Sequence, residues 1–468
     1  MEYKITDSYK LIKMEKEEKY LSSSLNENSS HSSFVMNRHK KVNDFLNKFS
    51  LCPQNILSKN DFIWKDIIST LFGINDSNAN SFFQRLGNED INLKFTSKEY
   101  QQIEKKKRKY GENKMNLLNI LKIKNKQYAN KFKQAVLEGI PNELRGLIWK
   151  IIIDPLHSYF DSLAIDIVNL CNLKLDNNNN DQDDFEIQNS DNISVSSCYL
   201  NTSSNSNNSI ECTCIQENDD NVDLAIQSDD TINILHFLAN NGNKKAIKEI
   251  ENDLDRTLIQ FEEIKNKQIR QSMKNILSAY SAIDKDIDFT QGMSFLAGLL
   301  LCNMDEFTAF NCFCTLMLSG RFNFREYFIH DFPGVYQMNK IWNVAIQKYF
   351  PKISLKLTKN NIDPVVYTVG WWLTAFSCFP FQRDISLLIF DRYLLFGPSS
   401  LISFGLIILN VYNDYMKNAS IDDLTSFLQS PHMHPKMNDI SYVRQIWNKK
   451  FLISKKQYNS FMLKASKT

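Results

Sequence analysis

The sequence predicts one large helical domain with extensions, or two domains, interrupted by a long polar insertion. Three observations lead there. Apolar residues recur at three- and four-residue spacing through most of the 468 residues. Hydrophobic content of 43%, with 12% aromatic, is that of a chain able to bury a sizeable core. From Leu175 to Asn243 there is no Lys or Arg, and Asn, Ser and Asp dominate. A segment that polar and like-charged cannot offset an ordering entropy of ~1–2 kcal/mol per residue, so a disordered insertion is expected at about 175–230.

Residues 1–112 read as an N-terminal extension, partly disordered, with short helices. Ser22 to Ser33 is Ser/Asn-rich, whereas Val42, Phe45, Leu46 and Phe49 have helical spacing, and Phe62, Trp64, Ile67, Ile68, Leu71 and Phe72 supply a second apolar face. The basic run Lys105 to Lys109 is a solvated helix face or linker, with a phosphate or lipid contact as the alternative. From Asn113 the helical pattern is continuous through Leu117, Leu121, Phe132 and Val136, stops at Gly139-Ile140-Pro141 and resumes from Asn142 to Trp149. After the insertion, Ile232 to Leu238 regains helical spacing.

Ile250, Leu254 and Leu258 define a buried stripe that continues a helix through Thr257, and Arg256 then points to the opposite side. Asp253, three residues before Arg256, shares its face and can hold the guanidinium in a fork-to-carboxylate pair. Some thirty residues later Gln291 sits on a turn that Gly292 makes possible, directly before the apolar run Met293 to Leu301. An arginine and an amide are each presented at the rim of a rigid element.

Beyond this point the chain is rich in aromatics. Phe307 to Leu318 reads as a buried helix, Gly320 to Gly334 as a turn-rich connection, and Ile362-Asp363-Pro364 as the start of another helix ahead of Trp371 to Pro380. Leu424 to Leu463 supplies closing helices, and His432-Met433-His434 reads as a loop rather than a metal site.

Composition excludes several functions. A formal net charge of +2 gives no strong overall field, although lysines crowd the first 130 residues and carboxylates the middle, so no nucleic-acid partner is expected. The 9 cysteines are scattered, and Cys302, Cys312, Cys314 and Cys378 lie in apolar stretches, as buried reduced thiols do. Cys212-Thr213-Cys214 lacks zinc-site pairing, so no metal is expected. The N-terminus reads as neither a signal peptide nor a myristoylation site. The longest apolar candidate, Ser386 to Val411, is broken by Asp391-Arg392 and Gly397-Pro398, so any membrane association is expected to be peripheral and through partners. No G-x-x-x-x-G-K-[ST], H-E-x-x-H or G-x-S-x-G occurs.

Ile250 to Thr257, with its I-x-x-D-x-x-R-T spacing, and Phe289 to Met293, an aromatic followed by x-Q-G-M, resemble the TBC domain family of Rab GTPase activators. Gly139 to Trp149 resembles the family's G-I-P-x-x-x-R-x-x-[VI]-W opening, and Trp371 to Pro380 its W-F-L-T-L-F…P segment. Leu388 and Phe390, before Asp391, depart from the family's R-[VI]-W-D, as do Phe289 and Thr290 from its tyrosine and cysteine.

The resemblance covers about 113–468 and implies an all-helical, two-lobed domain with a groove between lobes. It implies an activator that completes the hydrolysis site of a GTP-loaded Rab in trans, in the regulation of vesicle trafficking, with Arg256 and Gln291 as the two fingers. Asp253 and Thr257 are then expected to orient Arg256, and Gly292 to permit close approach. Gly139, Pro141, Arg145, Trp149, Trp371 and Asp391 are expected to be structural, with Arg145 and Trp149 helping to fix the lobe interface. No cofactor of its own is implied, since GTP and Mg2+ belong to the partner. The location implied is cytoplasmic, with recruitment to endomembranes. The rival is an adaptor of the same fold that binds a small GTPase without activating it. A helical-repeat scaffold needs a repeat period that the sequence lacks.

Overall fold

The structure, a computed structural model, describes residues 59–72, 93, 95–111, 115–155, 235–236, 238–322, 324–430 and 435–467. Among them the regular structure is entirely helical. Several expectations lie outside the described residues: the insertion at 175–230, the Ser22 to Phe49 segments, Cys212-Thr213-Cys214 and His432-Met433-His434.

Two compact units are present. The first comprises the described residues up to Thr96 together with Ile140–Ile148. Its Lys59–Phe72 helix buries Trp64, Ile67, Ile68, Leu71 and Phe72, as the apolar spacing predicts, whereas Phe62 is 43% exposed. Arg145 is buried and spends its guanidinium locally, donating from Nη2 to the Ile140 carbonyl at 2.7 Å and from Nη1 to Asn142 Oδ1. It therefore ties down the turn that contains Pro141.

The second unit runs over Ser97–Gly139 and Trp149–Thr468. It opens with helices at Ser97–Tyr110, Leu117–Lys124 and Lys126–Glu138. Gly139 ends the last of these with a φ of 117°, and its N–H donates to the Ala135 and Val136 carbonyls. Trp149 is fully buried, and its Nε1 donates to Asp391 Oδ1 at 2.7 Å. Phe390 packs against the Trp149 ring, with centroids 4.9 Å apart, and Leu388 is buried as an apolar group. The departure from the family pattern is thus absorbed by packing. The buried cation here is Arg392, one residue past Asp391, which donates from Nη2 to the Leu137 carbonyl and to Asn448 Oδ1 and lies 4.3 Å over the Trp447 ring. Burial, with Arg444 nearby, pushes its guanidinium down to about 9.

The Met293–Leu301 helix is buried at all nine positions, and the helices Glu306–Leu318, Pro333–Tyr349, Val365–Leu373, Arg383–Phe396 and Ser399–Val411 continue the core. Each indole N–H at the centre has a partner. Trp371 donates to the Leu428 carbonyl, Trp372 to Asn339 Oδ1 and Trp342 to the Tyr367 hydroxyl. That satisfaction lets three tryptophans share a dry interior without unpaired polar atoms on their rings.

Three sequence expectations need correction. The helix predicted through Thr257 ends at Leu254, because the chain turns at Leu258, where φ is +47°. The connection before Gly334 is shorter than predicted, since Pro333 starts a 17-residue helix in which its missing N–H costs nothing. Cys302, Cys312 and Cys314 are buried free thiols, but Cys378 is exposed. It follows Ala375 and Phe376, whose positive φ values carry the chain outward after the Val365–Leu373 helix.

Candidate functional site

Arg256 lies just past the Lys244–Leu254 helix, in a turn fixed from several sides. The Arg270 guanidinium donates from Nη1 to the Leu254 carbonyl at 3.2 Å and pairs with Asp255, which satisfies an end-of-helix acceptor and places a cation at the helix C-terminus. Leu258 still reaches the core despite its left-handed backbone, because a Cβ on Gly298 would stand only 2.7 Å from its Cδ1. Gln260 donates from Nε2 to the Ser377 and Phe379 carbonyls at 3.3 and 3.2 Å. The turn is a clamped loop.

Gln291 ends a second clamped loop. The Arg325 guanidinium forks Asp284 at 2.7 and 3.0 Å and reaches Asp286 at 2.7 Å, while the Tyr280 hydroxyl donates to Asp284 Oδ2 at 2.7 Å. Its bonding to Asp284 holds Arg325 above the ordinary arginine range. Asn243, which caps the Lys244–Leu254 helix, donates from Nδ2 to Asp288 Oδ2 at 2.8 Å, so the start of the segment that leads to Arg256 is tied to the approach to Gln291. Thr290 donates to the Phe328 carbonyl.

The two segments meet at Asp253, which is 1% exposed. Its Oδ1 accepts from Arg256 Nε at 2.7 Å and Nη2 at 2.6 Å, and its Oδ2 accepts from the Gly292 N–H at 3.2 Å and from the Ser294 hydroxyl. Gly292 is the N-cap of the Met293–Leu301 helix and has no side chain to serve the first-turn N–H groups. A carboxylate from another segment instead accepts the Gly292 N–H at that end, where the helix dipole also favours negative charge. Both guanidinium donors fall on one oxygen, rather than forking across two, because the other oxygen is taken by the helix terminus.

The hydroxyl of Thr257, which is fully buried, makes no hydrogen bond to the Arg256 guanidinium. It donates to the Asp253 carbonyl at 2.7 Å and lies 2.8 Å from Ser294 Oγ, so it acts on the arginine through Asp253. The Arg256 side chain itself is 53% exposed, and its Nη1 has no partner among the described residues. Gln291 is exposed too, and among the described residues its amide makes no hydrogen bond. A guanidinium edge and an amide are thus left open beside one buried anchor.

Sequence reasoning singled out Asp253, Arg256, Gln291 and Gly292, which the structure brings together at Asp253, and did not name Ser294, Gln260, Arg270 and Arg325 as their supports. Ser294 carries a signal, a hydroxyl inside a wholly apolar helix three residues after Gln291. The other three act on residues 15 to 119 positions away and leave none.

Gly292 has a φ of +105°, which side-chain-bearing residues rarely adopt, while the nearest atoms to an added Cβ, Thr374 Cγ2 and Leu373 Cβ, are at ordinary contact distances of 3.5 and 3.6 Å. The requirement is backbone conformation, not crowding within the chain. Gly292→Ala should therefore cost about 1–2 kcal/mol in urea unfolding, and Gly292→Asn less, since asparagine tolerates the left-handed region. Equal losses for both would place the constraint in packing instead.

With this geometry in hand, comparison with known proteins is direct: the Rab-GTPase-TBC domain model matches residues 142–417. The chain belongs to this family. The match contains Arg145, Trp149, the Arg256 and Gln291 segments, Trp371 and Asp391, while Gly139 and Pro141 lie just before it. Among curated relatives, the GTPase-activating protein GYP5 of Eremothecium gossypii is 27% identical over 207 residues, 42% of this chain and 25% of that protein. TBC1 domain family member 1 of Bos taurus is 28% identical over 162 residues, 34% of this chain and 14% of that protein. The chain thus spans about a quarter or less of the length of these relatives. A solved structure of a Chlamydomonas flagellar RabGAP TBC domain aligns over 72% of this chain and 83% of its own, with 16% identity and a TM-score of 0.40. Among the described residues of this TBC protein, no helix is long and apolar enough to cross a membrane, and no group of three or more His, Cys, Asp or Glu is placed to hold a metal ion.

Proposed function

We propose that this TBC domain, running over 113–468, activates Rab-family small GTPases by lending Arg256 and Gln291 in trans. The observation that carries the reading is the shared anchor: one buried carboxylate, Asp253, holds Arg256 on one oxygen and the Gln291-Gly292 turn on the other. Two open polar side chains fixed to one point can enter a partner's site together.

Hydrolysis of GTP on a small GTPase is limited by negative charge that builds on the phosphate oxygens and by a poorly oriented water. An arginine supplied in trans neutralises that charge, an effect of ~10³–10⁵ in rate, or about 4–7 kcal/mol. Arginine suits the role because it stays protonated and presents a planar fork. Asp253 occupies Nε and Nη2, which leaves Nη1 to face the phosphates. Gln291 accepts from the attacking water through its carbonyl and donates through its amide, holding the water in line without changing its own charge. GTP and Mg2+ arrive with the partner, so the chain requires no cofactor of its own. Its role is to end Rab signals in vesicle trafficking at the cytoplasmic face of endomembranes.

The test is phosphate release from a panel of GTP-loaded Rab proteins. Strong acceleration of one or two members identifies the substrate and supports the reading. Detectable binding to a Rab with no acceleration across the panel would favour the adaptor instead.

A further inference from the structure

The Ser97–Tyr110 helix carries six basic residues against two acidic ones, in a chain whose net charge is only +2. Its charges suit its dipole, with Glu99 in the first turn and Lys107, Arg108 and Lys109 in the last. One side chain, Ile103, is buried, and the helix packs on Leu117–Lys124. At 100° per residue, Lys98, Lys105, Arg108 and Lys109 all fall on the side away from Ile103, and all four are exposed. Glu99 falls on the Ile103 side and Glu104 on a flank, where it pairs with Lys107 at 3.4 Å. Among the described residues none of the four outward cations is paired with a carboxylate. The result is a one-sign stripe along a 14-residue helix, about 21 Å long.

We propose that this face of the Ser97–Tyr110 helix is a direct contact for an anionic phospholipid bilayer. A cluster of four or more Lys and Arg on a docked helix matches the field of an anionic leaflet. Tyr100 and Tyr110, each 54% exposed, fall on the Ile103 side by the same rule, so the contact rests on the four cations alone. A protein partner that grips a helix in a groove needs apolar anchors at turn spacing. The one aliphatic residue here, Ile103, is already buried. Charge along a flat stripe is what remains to be read. The sequence expectation of membrane association through partners alone is thereby extended, and the contact does not depend on the GTPase-activating reading.

The experiment is co-sedimentation of the full chain, with no GTPase present, on vesicles of phosphatidylcholine alone or with ~30% phosphatidylserine. Three proteins are compared: the wild type, Lys105→Glu/Arg108→Glu/Lys109→Glu, and a control of equal charge change at exposed positions elsewhere, Lys449→Glu/Lys455→Glu/Lys456→Glu. The wild type should bind the anionic vesicles only and release them at high salt. With each basic contact worth about fivefold, the helix variant should bind ~100-fold more weakly or worse, and the control should stay within a fewfold of wild type. The milder Lys105→Gln/Arg108→Gln/Lys109→Gln should show the same ranking if charge reversal harms folding. Failure of the wild type to bind anionic vesicles, equal binding to neutral ones, equal loss in the control, or tighter binding to a short RNA than to vesicles would each overturn the proposal.

Discussion

Arg256→Ala should reduce the accelerated rate of GTP hydrolysis by ~10³-fold or more while changing affinity for the GTP-loaded partner only a fewfold. The side chain is 53% exposed and contributes its Nε and Nη2 to Asp253 alone, so its removal leaves the apolar core in place and uncovers Asp253 Oδ1 to water. What it takes away is charge at the developing phosphate oxygens, which matters in the transition state more than in the ground-state complex. Arg256→Lys should recover little of the rate. An ammonium cannot bond Asp253 through two donors and still present a third nitrogen to the phosphates. Single-turnover phosphate release, with binding measured separately, reads both quantities. A parallel collapse of affinity and rate would make Arg256 an interface residue rather than a finger.

Asp253→Ala should have a broader effect, because the same carboxylate serves two segments. The Gly292 N–H and the Ser294 hydroxyl lose their buried acceptor, and the Met293–Leu301 helix loses the anion at its N-terminus. Stability should fall by about 2–3 kcal/mol in urea unfolding. No full ion-pair energy with Arg256 is added, since that partner is half exposed and solvent screens it. The accelerated rate should also fall by ~100-fold even where the variant remains folded, since misplacement by about an ångström is enough for that. Asp253→Asn separates the two effects. It keeps the shape and an acceptor but not the charge, so most of the stability should return while the rate recovers only in part. Recovery of neither would mean that the site needs the anion for folding itself.

Much of the helical fold and of the arrangement around Asp253 was legible in the sequence, for a physical reason. Asp253, Arg256, Gln291 and Gly292 lie in short stretches whose local spacing decides their presentation, and helical periodicity marked the apolar runs around them. What the sequence did not reveal is how the turns are held. The helix was expected to continue through Thr257 because Leu258 keeps the stripe, yet Leu258 reaches the same core from a left-handed turn against Gly298. Periodicity records burial and is blind to the backbone path that achieves it. Gln260, Arg270 and Arg325 clamp the two loops through bonds to distant residues, and each looks like an ordinary surface polar group. Leu388 and Phe390 break a motif where burial of Leu388 and packing of Phe390 against Trp149 replace the family's pattern. The loss of an arginine there is local, and Asp391 still accepts from Trp149.

The central claim is that Arg256 and Gln291 act together on the transition state of a partner's reaction. The most direct measurement is complex formation with the substrate Rab loaded with GDP and aluminium fluoride, a mimic of the transferring phosphoryl group, compared with the same Rab loaded with a non-hydrolysable GTP analogue. The account predicts that the wild type binds the transition-state mimic at least ~100-fold more tightly, and that Arg256→Ala and Gln291→Ala each lose that preference while binding the GTP analogue as before. A wild type that binds both forms equally, or variants that keep the preference, would contradict it.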